Sequence, residues 1–166
     1  MKRIALLFVP IMMMSACSFS SGPSNKVVGK TFEKSIDGYY YVGVVTWSIS
    51  FYKNNLYDIH YSKVGAHDEN HNAVEDIHID LLNKTWKYLR TETYSWTGDW
   101  NAHHTNTYYI YSLSDHPLYE GGGFFVIERS SNLGYIMNKD PGNGGKNGND
   151  FSNGEPVVEK KKDISK

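Results

Sequence analysis

The chain has 166 residues, 40% of them hydrophobic, a formal net charge of −1 and a single cysteine. That length supports one ordinary core rather than two, the balanced charge offers no surplus for a nucleic-acid backbone, and one thiol rules out an internal disulfide. Stability has to come from packing, and 13 Tyr, 7 Phe and 4 Trp suit the pleated, half-buried faces of a β-sheet.

In chain order, Lys2-Arg3 precede an apolar run from Ile4 to Met14, the small pair Ser15-Ala16 and then Cys17. The run is shorter than the roughly 20 apolar residues a membrane-spanning helix needs, so residues 1–16 read as a secretory signal peptide. The quartet Met14-Ser15-Ala16-Cys17 resembles the lipobox of bacterial lipoproteins, with Met where that motif usually has Leu. The resemblance implies cleavage before Cys17 and a thioether-linked diacylglycerol on it, a lipid anchor of the kind that acyl burial makes durable. Ser18 in place of Asp implies outer-membrane placement if the host is Gram-negative. Met12-Met13-Met14 lie in the segment removed, so their thioethers are not a metal site. Loss of Lys2 and Arg3 takes the formal charge from −1 to −3. Residues 17–26, small and polar around Gly22-Pro23-Ser24, read as a lipidated tether.

Residues 27–138 carry the signature of an all-β domain. Val27 to Phe32 is a first strand. Val45, Trp47, Ile49 and Phe51 alternate with Thr46, Ser48 and Ser50, the period of two that puts one face in a core. Asn54-Asn55 then lead into Tyr57, Ile59 and Tyr61, and the pair predicts a hairpin because Asn tolerates the positive φ of tight turns. A second hairpin is predicted at Asn83-Lys84, joining Ile77, Ile79 and Leu81 to the run Trp86 to Trp96. Residues 72–89 also fit a helical face, with Asn72 and Glu75 spaced as a capping box; the β-prone run that follows favours strands. Thr107 to Leu113, Phe124 to Arg129 and Leu133 to Met137 complete an antiparallel meander of about eight strands, which closes most simply into a small up-and-down barrel or folds into a sandwich. Val28-Gly29-Lys30-Thr31-Phe32 resembles the first strand of lipocalin-type barrels, with Thr31 at that family's Trp position; this implies a barrel that carries a small apolar ligand. Residues 139–166, rich in Gly and Asn from Pro141 to Asn149 and ending near Lys160-Lys161-Lys162, read as a disordered tail.

Several clusters invite chemistry. His67-Asp68-Glu69-Asn70-His71 holds metal-ligand residue types, but Asp68 stands where the zinc-protease pattern needs Glu, so a polar loop is the better reading. His60, His78, Asp58, Asp76 and Asp80 fall on polar registers, where alternation alone places polar groups and an acid–base pair would need neighbouring strands to align them. No serine sits in a Gly-x-Ser-x-Gly elbow, and Gly144-Gly145-Lys146 lacks the spacing and hydroxyl of a phosphate loop. The segment around Trp96, Trp100, His103 and His104 offers aromatics of the type that anchor interfaces and is the predicted contact loop, ordinary core packing of both tryptophans being the plainer alternative. The sequence thus leads to a non-enzymatic, membrane-anchored envelope lipoprotein without metal or cofactor. Its partner is a macromolecule, an envelope protein or glycan, with immunity or exclusion as one form, and a lipocalin-like carrier is the alternative.

Overall fold

A computed structural model of the protein describes residues 23, 26–38, 41–97, 100, 102–142 and 154–161, with the backbone but not the side chain of Trp96. Residues 1–22, 24 and 25, which hold the expected signal peptide, Cys17 and most of the expected tether, lie outside the described residues. The architecture is an eight-stranded closed antiparallel barrel: β1 (Thr31–Asp37), β2 (Val44–Phe51), β3 (Leu56–Val64), β4 (Ile77–Thr97), β5 (His103–Leu113), β6 (Gly123–Glu128), β7 (Leu133–Met137) and β8 (Glu155–Glu159). Each strand pairs with the next, and β8 returns to β1.

The β2–β3 hairpin forms at Asn54-Asn55, which take φ values of 66° and 60°. Trp47, Ile49, Phe51, Tyr57 and Ile59 from this hairpin are buried, as strict alternation requires. They meet Phe32, Trp86, Tyr111, Phe125 and Val157 in one core. Phe125 lies 4.9 Å from both Phe32 and Phe51, and Trp86 stands edge-on to Phe51 and Tyr111 at 5.9 and 5.5 Å. The buried polar tips are satisfied: Tyr57 Oη donates to the Asp115 carbonyl, Tyr111 Oη to the Pro23 carbonyl and Trp86 Nε1 to the Leu56 carbonyl.

Three sequence expectations are corrected. The first strand starts at Thr31 rather than Val27; Val27 sits in a turn, yet is fully buried against the core. The hairpin expected at Asn83-Lys84 does not form, because β4 runs unbroken for 21 residues. Asn83 does adopt a positive φ of 54°, but in a bulge, where the register slips between Tyr57 and Ile59. The carboxylate of Asp58 accepts the Asn83 N–H at 2.6 Å. One extra residue reverses which side chains face inward: Ile79 and Leu81 before the bulge, Trp86 and Tyr88 after it, all pack on the core. Finally, residues 155–159 of the expected tail are β8, with Val157 fully buried. That strand gains order from two partner edges and one core side chain, none of which its composition displays.

A second register slip, between Tyr88 and Arg90, turns β4 again. Beyond it, Tyr94 joins Tyr108, Ile110, Val126 and Met137 in a smaller cluster on the other face of the sheet. Arg90 spans the edge of this cluster, reaching Glu92, Asp140 and the Gly142 carbonyl.

Two outcomes check this account. Asp58→Ala strips the carboxylate acceptor from the exposed bulge amide and lowers unfolding free energy by about 0.5–1.5 kcal/mol, read from urea denaturation. Gly134→Ala costs about 1–3 kcal/mol through overpacking, since a Cβ there would lie 2.5 Å from the Phe125 ring.

Candidate functional site

The contact-loop residues fall on one feature. β5 pairs with β6 only from Tyr108 to Leu113, whereas its pairing with β4 continues outward to Thr97↔His103. The five pairs from Thr93↔Thr107, which the Arg129 N–H on the Thr107 carbonyl still ties to the wall, to Thr97↔His103 therefore form a two-stranded arm about 17 Å long at 3.4 Å per residue. Hydroxyls join its strands along one face: Thr93 Oγ1 lies 3.2 Å from Thr107 Oγ1, Ser95 Oγ 3.0 Å from Thr105 Oγ1, and Thr97 Oγ1 3.4 Å from His103 Nδ1.

Trp100 sits at the tip of this arm, 97% exposed with φ at 62°, so a large apolar side chain is held in water in a left-handed backbone that favours Gly or Asn. His103 and His104 are exposed beside it. Trp96 is in register with His104. The adjacent histidines occupy opposite faces of β5, as alternation dictates. The fold thus brings the four expected contact residues into one projecting element.

The other clusters resolve into local structure. Asp68 is the hub of the β3–β4 loop, accepting from the backbone N–H groups of Asn70 and Asn72 and from Asn72 Nδ2; the Asn72 side chain, then its backbone, holds this carboxyl below the usual range. Asp76 accepts the Gly65 N–H. Among the described residues no group of three His, Cys, Asp or Glu is arranged to hold a metal.

His60 and Asp80 do align, Nδ1 to Oδ1 at 2.7 Å, and Ser48 precedes His60 in the register across β2. Nucleophile, base and carboxylate types are therefore adjacent. However, His60 and Asp80 are 50% and 63% exposed on an outer barrel face, where such a pair gains little and nothing shields a reacting group from water. His78 aligns with Ser62 instead.

Two open grooves of about 740 Å³ flank β8, lined in part by Lys30, Lys34, Lys160 and Lys161. Three of these cations are engaged across the seam, Lys30 with Glu159 at 2.8 Å, Lys34 with Glu155 at 3.1 Å and Lys160 with Glu33 at 3.0 Å. These partly exposed pairs align β1 with β8 across the seam.

Sequence reasoning missed His116. In the β5–β6 loop, it is 7% exposed, 5.9 Å from the Trp47 ring and 5.0 Å from the Tyr119 ring. Its Nδ1 accepts the Leu118 N–H at 3.2 Å, so the neutral ring carries its proton on Nε2. Burial lowers its pKa from 6.5, opposed by the charge of Glu155. No periodicity marks it, because it lies in a loop folded over the core. No family model, curated protein or solved structure matches the chain.

The lowered pKa fixes a sign. Below about pH 6.5 the unfolded chain takes up a proton that the folded ring resists, so the contribution of His116 to stability is complete above that pH and falls as pH drops toward the folded pKa. His116→Gln removes this term: the urea midpoint of the wild type falls more steeply between about pH 7 and 5 than that of the variant.

Proposed function

We propose that this chain is a non-enzymatic envelope lipoprotein, tethered through lipid on Cys17, whose barrel is a rigid pedestal for an arm that binds an envelope protein or glycan. The observation that carries this reading is Trp100, almost wholly exposed at the tip of a ribbon that projects from a packed barrel. An exposed Trp costs solubility without helping the core, and Trp is enriched among residues that dominate binding energy. Immunity toward, or exclusion of, an incoming toxin or phage component is one form of such a role. In a Gram-negative host Ser18 favours the outer membrane.

The lipocalin-like carrier is the weaker reading. A carrier needs space inside the barrel, whereas here Phe32, Phe51, Trp86, Tyr111 and Phe125 meet one another across the interior.

Immobilised residues 18–166, which retain every residue of the described fold, test the proposal on envelope extract with mass spectrometry of captured proteins, glycans and small molecules. The expected outcome is a specific macromolecular partner whose recovery drops at least about tenfold with Trp100→Ala, as loss of one buried aromatic anchor implies. Recovery of a small apolar molecule without a macromolecule would replace this reading with the carrier. Mass spectrometry of the intact wild-type chain, showing acyl groups on Cys17, tests the anchor separately.

A further inference from the structure

Beyond Thr107 both long sides of the arm lack a neighbouring strand among the described residues, and the β4 side is the longer free edge. β3 pairs with β4 only as far as Thr85, so among the described residues no strand lies beside Thr91–Thr97 on the side away from β5. Which backbone groups face that side follows from one hydrogen bond. The Arg129 N–H donates to the Thr107 carbonyl at 2.7 Å, so the backbone polar groups of Thr107 point away from β4. In an antiparallel ladder its partner Thr93 then also points its N–H and C=O away from the pair, and the same holds at every second residue. The close hydroxyl contacts at Thr93/Thr107 and Ser95/Thr105 fit, since side chains approach most closely at such pairs. Thr91, Thr93, Ser95 and Thr97, all exposed, thus aim their main-chain donors and acceptors along the outer edge of β4.

An edge of this length is ordinarily blunted by Lys, Pro or a bulge. The sequence Thr91-Glu92-Thr93-Tyr94-Ser95-Trp96-Thr97 has no Lys and no Pro, and the register there is continuous. It is also self-complementary. Laid antiparallel on a second copy about a two-fold axis at Tyr94, Thr93 meets Ser95 and Thr91 meets Thr97, so each outward-facing residue finds another. The segment's one charged residue, Glu92, falls opposite Trp96, and no like charges oppose.

We propose that the outer edge of β4, Thr91–Thr97, is a homodimerisation edge that pairs antiparallel with the same segment of a second copy, giving a four-stranded sheet β5–β4–β4–β5. The contact is isologous and therefore closes at two chains rather than growing into a filament. It buries one strand pair and leaves Trp100 at both tips free. It depends neither on lipid at Cys17 nor on a partner at the tip.

Sedimentation velocity of residues 18–166, from micromolar to submillimolar concentration, is the test. The expected result is a monomer–dimer equilibrium whose dissociation constant rises at least about tenfold in Thr93→Pro, which removes an outward N–H from each copy without breaking a bond to β5. Thr105→Pro, the equivalent change on the β5 edge, leaves the constant within about twofold, because its outward N–H faces away from the dimer. Hydrogen exchange of the wild type supplies a readout that needs no variant: the amides of Thr91, Thr93, Ser95 and Thr97 gain protection as concentration rises. A monomer throughout the range, a dimer indifferent to Thr93→Pro, or edge amides whose exchange ignores concentration would each overturn the proposal.

Discussion

The barrel depends on Phe125 reaching its centre. Its ring touches Phe32 and Phe51 at 4.9 Å each and Tyr111 at 6.4 Å, so one side chain from β6 contacts β1, β2 and β5. Gly134 makes room for it, since any Cβ there would overlap the ring. The seam itself could not hold the sheet shut: β1 and β8 share two residue pairs, Phe32↔Glu159 and Glu33↔Val158. The ion pairs that cross it are partly exposed, and such pairs contribute roughly 0–1 kcal/mol each. Closure is therefore an achievement of the aromatic interior, and the lysines along β8 act mainly to align it.

A filled interior has a functional consequence. Small barrels either pack their lumen with side chains or enclose a ligand, and the aromatics here take the first course. The proposed partner is then met on an outer surface. The outer faces of β1 to β3 are polar and lie flat against solvent; the β4–β5 arm is the element that departs from the wall.

Much of this was legible in the sequence, and the failures have physical causes. Strict alternation from Val45 to Phe51 and from Tyr57 to Tyr61, with Asn54-Asn55 between, fixed a hairpin because period and turn chemistry agreed. Asn83 carried the same left-handed signal and was misread, since turns and bulges both require positive φ. What separates them is parity: the inward residues are odd-numbered through Ile79 and Leu81 and even-numbered from Trp86, a reversal that a bulge produces without a loop. β8 was illegible for a different reason. Glu155-Pro156-Val157-Val158-Glu159 buries one side chain fully, Val157, and its order comes from edges that exist only once β1 and β7 are in place.

The candidate site was legible as residues but not as a shape. Trp96, Trp100, His103 and His104 could be chosen because aromatics and imidazoles gathered between two β-prone runs. That they project could not be seen, because projection is a mismatch of lengths: β4 has 21 residues and β5 has 11, while β6 has 6. Apart from Tyr94, buried with Tyr108 on one face, the excess strand is exposed, and its composition adapts accordingly, with Thr and Ser hydroxyls bonded across the other face where core strands carry aliphatics. At its root, Arg90 binds Glu92 and Asp140, both of which keep the guanidinium charged, and that clamp joins β4 to the segment after β7. The base of the arm is thus held twice, by this clamp and by Tyr94 packed with Tyr108, Val126 and Met137 on the outer face of the sheet.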